Sequence, residues 1–288
     1  VLRPARALRL VAPVLAVLLA GACGTAVALA PTPDPGRAGT AAPSSSSTPS
    51  PSGSTPTPRS GATLQVVGLG DSVTSGYHCD CDDYVTGFAH LLAARDGIAV
   101  KATNDGEAGS TSNGLADELD GTDGDDRAEQ HDVAKADVVV LTMGANDLEP
   151  ALDAFRQGSC DASCSDPEVA QMQTDLGRVL DRVQTLEGGH ARVLVTTYWN
   201  VFTDGDVARK AERSGYLAWS DTLTRQANQA IATVARQHGA TLVDLYAPFK
   251  GDGSKDPTDL LADDGDHPDP AGTAVISKAV LAAYEARP

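Results

Sequence analysis

Leu64-Gln65-Val66-Val67-Gly68-Leu69-Gly70-Asp71-Ser72 sets the reading of the chain. Leu64–Leu69 is largely apolar on both faces of an extended strand, which suits a strand covered from two sides. It runs straight into Gly70-Asp71-Ser72, a glycine turn that carries a hydroxyl. Four further runs share its character: Ile98–Thr103, Val138–Thr142, Arg192–Thr197 and Thr241–Leu245. Between them lie segments of helical period. Val85, Phe88, Leu91 and Leu92 make one stripe; Val169, Met172, Leu176, Val179, Val183 and Leu186 make a second. A third passes through Tyr216, Leu223, Ala227, Ile231 and Val234 and stops at Gly239. A last helix follows Asp269-Pro270, with Val275, Ile276, Ala279 and Ala283 on one face. Strand and helix alternate, so the expected fold is a doubly wound α/β sandwich around a five-stranded parallel sheet.

In such a fold ligands bind beyond the carboxyl ends of the strands. The residues that follow each strand are therefore the ones to inspect. Gly68-Leu69-Gly70-Asp71-Ser72 closes the first strand and Asn104-Asp105-Gly106-Glu107-Ala108-Gly109 follows the second. Met143-Gly144-Ala145-Asn146-Asp147 follows the third, and Asp263-Asp264-Gly265-Asp266-His267-Pro268 lies in the long segment after the fifth. These four polar, glycine-bearing motifs should share one edge of the sheet. Tyr198, Trp199 and Phe202 follow the fourth strand, where they either line a pocket at that edge or simply pack.

Two phosphate or nucleophile motifs fail here. Val73 falls where a dinucleotide fingerprint needs its third glycine, and Asp105 lies too far on for a ribose carboxylate. Thr74 falls where the GxSxG elbow needs its second glycine. What remains is a serine at a strand exit and a late Asp264-x-x-His267 pair. A serine hydroxyl needs an adjacent base, itself oriented by a third group. His267 can take the Ser72 proton, and Asp264 can hold the other imidazole nitrogen. The Ser72 N–H, the Gly109 N–H and the Asn146 amide can stabilise the developing oxyanion, Gly109 being read as a place where a side chain would crowd the acyl group. His78 is the one competing base; His90, His131, His190 and His238 read as structural or solvated, and Asp71 as a loop-holding hydrogen bonder. Asp120–Asp126 lacks EF-hand spacing and reads as a solvated loop.

At these residues the chain resembles the SGNH (GDSL) hydrolases. GDS stands at Gly70–Ser72, the glycine block at Gly109, GxND at Gly144–Asp147 and DxxH at Asp264–His267, in the family's order. Val73 stands where Leu is commonest. The resemblance covers nearly all of 62–288. It implies a flavodoxin-like three-layer α/β/α sandwich, Ser72 as nucleophile with Asp264 and His267 completing a triad, and Ser72, Gly109 and Asn146 as the oxyanion hole. It implies a carboxylic ester hydrolase of esterase or lipase type that needs no metal or cofactor. Carbohydrate deacetylation is the alternative activity of the same fold, and a surface carbohydrate- or lipid-binding module with a lapsed active site is the alternative from another functional class. The cysteine pairs and Leu148–Pro167 read as elaborations near the site mouth.

The rest of the sequence concerns where such a domain works. Arg3, Arg6 and Arg9 precede the apolar run Leu10–Ala22, so residues 1–28 read as an export signal. Leu19-Ala20-Gly21-Ala22-Cys23 resembles a lipobox with Cys23 lipidated, a possible membrane tether; cleavage after Ala26-Val27-Ala28 is the other exit. Residues 29–61 are rich in Pro, Ser and Thr and read as a disordered tether. Cys79, Cys81, Cys160 and Cys164 are an even set in an exported chain, which favours disulfides joining the 79/81 pair to the 160/164 pair over a zinc site. Of a net charge of −17, residues 1–61 contribute +4, from five Arg against Asp34, and leave −21 on the remainder. A body that acidic argues against nucleic-acid binding, and the family resemblance implies a small ester, lipid ester or acetylated sugar as the substrate. A secreted monomer, or a lipoprotein on the outer side of the cell envelope, is expected.

Overall fold

Aliphatic runs with no break for solvent become the strands β1 (Leu64–Gly70), β2 (Val100–Gly106), β3 (Val138–Thr142), β4 (Arg192–Thr196) and β5 (Thr241–Val243). The structure is a computed structural model that describes residues 63–121, 127–160 and 164–286. All neighbouring strands pair in parallel, in the order β2-β1-β3-β4-β5. That order is the flavodoxin-like one, and it reverses direction between β1 and β3. A crevice therefore opens at the carboxyl ends of these two strands.

The connecting helices are α1 (Ser72–Ser75), α2 (Tyr84–Asp96), α3 (Ser112–Asp120), α4 (Arg127–Val133) and α5 (Glu149–Arg156). They continue as α6 (Asp166–Glu187), α7 (Gly205–Ala211), α8 (Tyr216–Gln237), α9 (Tyr246–Lys250) and α10 (Pro270–Glu285). Helices α2 and α10 pack together over one face of the sheet, while α6 packs against α3 and α8 over the other, which gives three layers. The apolar stripes supply the contacts: Val85, Phe88, Leu92, Met172, Leu176, Val179, Val183, Leu223, Ala227, Ile231 and Ile276 are all buried. Burying a side chain such as Phe88 stabilises the fold by about 1.5–3 kcal/mol. Asp269 caps α10 through Gly272 N, with Pro270 in its first turn, and Gly239 follows α8 at φ 66°.

Two strands differ by more than one residue from the runs read in the sequence. Strand β2 begins at Val100 and runs on through Asn104-Asp105-Gly106, because pairing with β1 continues to Gly70↔Gly106 even though this edge strand is polar. Strand β5 ends at Val243, where Asp244 turns away to accept from Tyr246 N.

The cysteine expectation is corrected. Cys79 pairs with Cys81 and Cys160 with Cys164, the Cα atoms 5.1 and 5.2 Å apart. Asp80 lies between the first two at φ 48°, a left-handed turn that curls the segment and brings the two cysteines within pairing distance. The first pair lies between α1 and α2, the second between α5 and α6, so each closes its own loop. The export signal, Cys23 and the tether lie outside the described residues, as does the acidic stretch from residue 122 to 126. Among the described residues no helix is long and apolar enough to cross a membrane.

Candidate active site

The loop that carries Ser72 is shaped by the closeness of β1 to β3. Gly70 ends β1 at φ 137°, and a Cβ there would lie 1.9 Å from the Thr142 carbonyl oxygen. Only glycine fits, and the next residue, Asp71, donates its N–H to that same oxygen at 3.0 Å. Asp71 then caps α1, Oδ1 accepting from Val73 N at 3.0 Å, and Ser72 becomes the first residue of the helix. Burial pushes the Asp71 carboxyl up to about 6, although hydrogen bonds from Tyr198 and Val73 N pull the other way.

Asp264 and His267 reach Ser72 from the loop before α10. Asp264 Oδ1 accepts from Asp266 N at 3.0 Å and from His267 N at 3.1 Å, which folds the loop around the carboxylate. Its Oδ2 lies 2.6 Å from His267 Nδ1, and His267 Nε2 lies 2.8 Å from Ser72 Oγ. With a carboxylate at Nδ1, that nitrogen carries the proton and Nε2 is left to accept from the Ser72 hydroxyl. Burial works against ionised Asp264, yet the donors from Asp266 and His267 hold its carboxyl below the usual range. Asp266, next in line, has no such donors; burial raises it to about 6 despite the His267 charge.

Asn146 comes from the other strand of the crevice. One amide N–H goes to the Ser110 carbonyl at 2.7 Å, and Asp147 accepts from Ser112 N and Oγ, so the loops after β2 and β3 are tied together. Gly109 precedes Ser110 at φ 88° and is not on the cavity wall. A Cβ on Gly109 would meet no protein atom within 4 Å, so within the chain itself it is the left-handed backbone that favours glycine there.

A cavity of about 200 Å³ joins Ser72, Asn146 and His267. Its wall is mixed, with Glu149, Asn200, Thr203 and Asp266 beside Leu152, Val201 and the aromatics. Tyr198, Trp199 and Phe202 are buried and also line it, so packing and lining coincide. From the stretch read as an elaboration, α5 contributes Glu149, Leu152 and Arg156 to the cavity wall. His78 is no base for Ser72. It stacks on His267 at 5.7 Å, and its Nε2 stands 3.7 Å from Asp264 Oδ2, with Tyr77 edge-on to both rings. Tyr77, Asn200 and Thr203 stand outside every motif of the sequence; only their place a few residues beyond the ends of β1 and β4 marks them. Among the described residues no group of three or more His, Cys, Asp or Glu could hold a metal ion. Chemically, the arrangement can move a proton from a hydroxyl to an imidazole held by a carboxylate, next to a side-chain amide.

The model of the GDSL-like lipase/acylhydrolase family matches residues 69–275. Among solved structures, a lipase from a goat rumen metagenome is similar at 19% identity and TM-score 0.59, over 78% of this chain and 99% of that one. An acetylxylan esterase from Geobacillus stearothermophilus, a catalytic mutant, shares 17% identity at TM-score 0.54, over 79% and 96%. A lipase/acylhydrolase from Enterococcus faecalis shares 21% at TM-score 0.52, over 76% and 94%. At these identities the likeness shows a common fold. No curated protein matches the chain.

Proposed function

The chain belongs to the GDSL-like lipase/acylhydrolase family and is a carboxylic ester hydrolase, and on that premise we propose that it works through an acyl-enzyme on Ser72. The observation that carries the proposal is the unbroken line Ser72 Oγ, His267 Nε2, His267 Nδ1, Asp264 Oδ2, at 2.8 and 2.6 Å. Ser72 Oγ attacks the ester carbonyl carbon as its proton passes to His267 Nε2. The tetrahedral oxyanion takes hydrogen bonds from Ser72 N–H, Gly109 N–H and the Asn146 amide. Collapse expels the alcohol, which leaves with the proton from His267. Water, deprotonated by the same imidazole, then attacks the acyl carbon and releases the acid. Asp264 keeps the imidazole in one tautomer and stabilises its charged form throughout.

A fluorophosphonate probe tests this. It should label the parent enzyme at Ser72 and leave Ser72→Ala unlabelled, with hydrolysis of short aryl esters lowered about 10⁴-fold or more. Full hydrolysis by Ser72→Ala refutes the nucleophile, and a parent enzyme that takes no label and cleaves no ester supports the inactive binding module instead. Asn146→Ala should lower kcat about 10²–10³-fold and leave KM nearly unchanged; a pure rise in KM removes it from the oxyanion hole.

The small, mixed wall with Glu149, Asn200 and Thr203 supports short acyl groups on polar alcohols over long lipid chains, and keeps acetylated carbohydrate as the second reading. Graded acyl esters assayed beside acetylated oligosaccharides decide between them. We also propose export, supported by the Arg3–Ala22 pattern and the cysteine pairs. The intact mass of protein recovered from cells reads the cleavage site, and labelled fatty acid on Cys23 distinguishes a lipoprotein from a freely secreted enzyme.

A further inference from the structure

Tyr198 stands at the exit of β4, two strands from β1, with 1% of its surface exposed. Its backbone is clamped by one side chain of α8: Tyr198 N donates to Asn228 Oδ1 at 2.9 Å, and Asn228 Nδ2 donates back to Tyr198 O at 2.7 Å. From that fixed point the phenol reaches the loops that follow β1 and β3. Its O–H donates to Asp71 Oδ2, and its oxygen accepts from Ala145 N at 3.4 Å. Asp71 is the residue before Ser72 and Ala145 the residue before Asn146.

We infer that Tyr198 is a positioning residue for the hydrolysis, its hydroxyl tying the nucleophile loop to the loop that carries Asn146 and so holding attacking oxygen and oxyanion donor in one register. The inference rests on the reading of Ser72 as nucleophile. Donation runs one way along this line, from Ala145 N–H to the phenol oxygen and from the phenol O–H to the carboxylate, whose other oxygen accepts from Val73 N. The phenol proton is therefore committed to Asp71, and although Tyr198 lines the cavity it has no proton to offer a substrate. Burial holds the phenol well above its ordinary pKa, with the Asp71 charge acting in the same sense, so it stays a donor.

The line needs Asp71 ionised. A proton on Oδ2 would face the phenol O–H while Ala145 N–H already points at the phenol oxygen, so two donors would meet. The titratable groups facing Asp71 are Tyr198, Tyr84 of α2, and Asp266 and His267 of the loop before α10. Of these, Tyr198 and His267 favour its ionised form and Asp266 opposes it.

Tyr198→Phe removes the hydroxyl and keeps the ring. It should lower kcat about 10- to 30-fold with KM within about 3-fold, since a lost hydrogen bond to a charged group acts on alignment rather than on binding. It should also move the acid limb of kcat/KM to higher pH, because Asp71 loses a donor that favours its charged form. A filler of space would leave that limb in place. A wild-type kcat with an unmoved acid limb, or a rise in KM alone, overturns the inference. Should Tyr198→Phe fail to fold, Asp71→Asn carries the test: kcat falls about tenfold with KM held and the acid limb loses the step that Asp71 contributes, and a parent-like profile overturns the inference. Ser72→Ala is run beside both. Activity surviving in Ser72→Ala sinks the nucleophile reading itself, whereas an inactive Ser72→Ala beside an unaffected Tyr198→Phe sinks only the role of Tyr198.

Discussion

Two carboxylates flank Ser72, and the same side chain serves opposite purposes in the two loops. Asp264 is about a quarter exposed, accepts from two backbone N–H groups and an imidazole, and is held more acidic than usual. Asp71 is wholly buried, accepts from one backbone N–H and one phenol, and is pushed up to about 6. Donor count and solvent access decide the difference. Asp264 holds an imidazole ring, whereas Asp71 holds backbone. Its loop carries the strained costs, with a glycine pinned against Thr142 and a buried charge, while the Asp264 loop is self-supporting.

The sharpest way to break the comparison is to remove each charge in turn. Asp264→Asn should lower kcat about 10³–10⁴-fold for the same aryl esters, since an amide at Nδ1 no longer enforces the tautomer. Asp71→Asn should cost only about tenfold. Equal losses would mean that both carboxylates act on the base and that the contrast is false.

Stability against pH sharpens it further, because the signs differ. Asp71 has a folded pKa above its unfolded value of 3.8, so its burial destabilises the fold above pH about 6 and ceases to do so below about 4. Two units correspond to about 3 kcal/mol at most. Asp71→Asn should therefore melt higher than the parent at about pH 8, the gap closing as the pH falls through 6 towards 4. Asp264 has a folded pKa below its unfolded value, so its contribution is present above the unfolded value and lost as pH falls through the folded one. Asp264→Asn should melt lower than the parent at about pH 8, with the gap closing only under stronger acid. Urea titrations of the three proteins across this range read both effects, and parallel curves would dissolve the distinction.

Much of this was legible in the residues. The central strands announce themselves because Val66, Val67, Val139, Val140, Leu194 and Val195 are apolar whichever way they face. Edge strands do not: β2 carries Lys101, Asn104 and Asp105, and its extent follows from pairing with β1 rather than from its own composition. Ser72, Asn146, Asp264 and His267 could be found because each stands in a polar motif after an apolar run, and a parallel sheet gathers such motifs at one edge. The phenol of Tyr198 could not be linked to Asp71, since that bond depends on the register of β4 against β3 and of β3 against β1. Nor could the cysteine pairing, which turns on a left-handed Asp80 that spacing does not reveal.

Each disulfide spans only a short segment, two residues of separation in one and four in the other. Closing so small a ring restricts the unfolded chain little, and the aliphatic core around the sheet owes its assembly to neither bridge. For anyone preparing the enzyme, this means that a reducing bacterial host should yield folded protein with Cys79, Cys81, Cys160 and Cys164 as free thiols. Mild air oxidation afterwards should close both rings without scrambling, because each thiol's nearest partner already sits in its own loop.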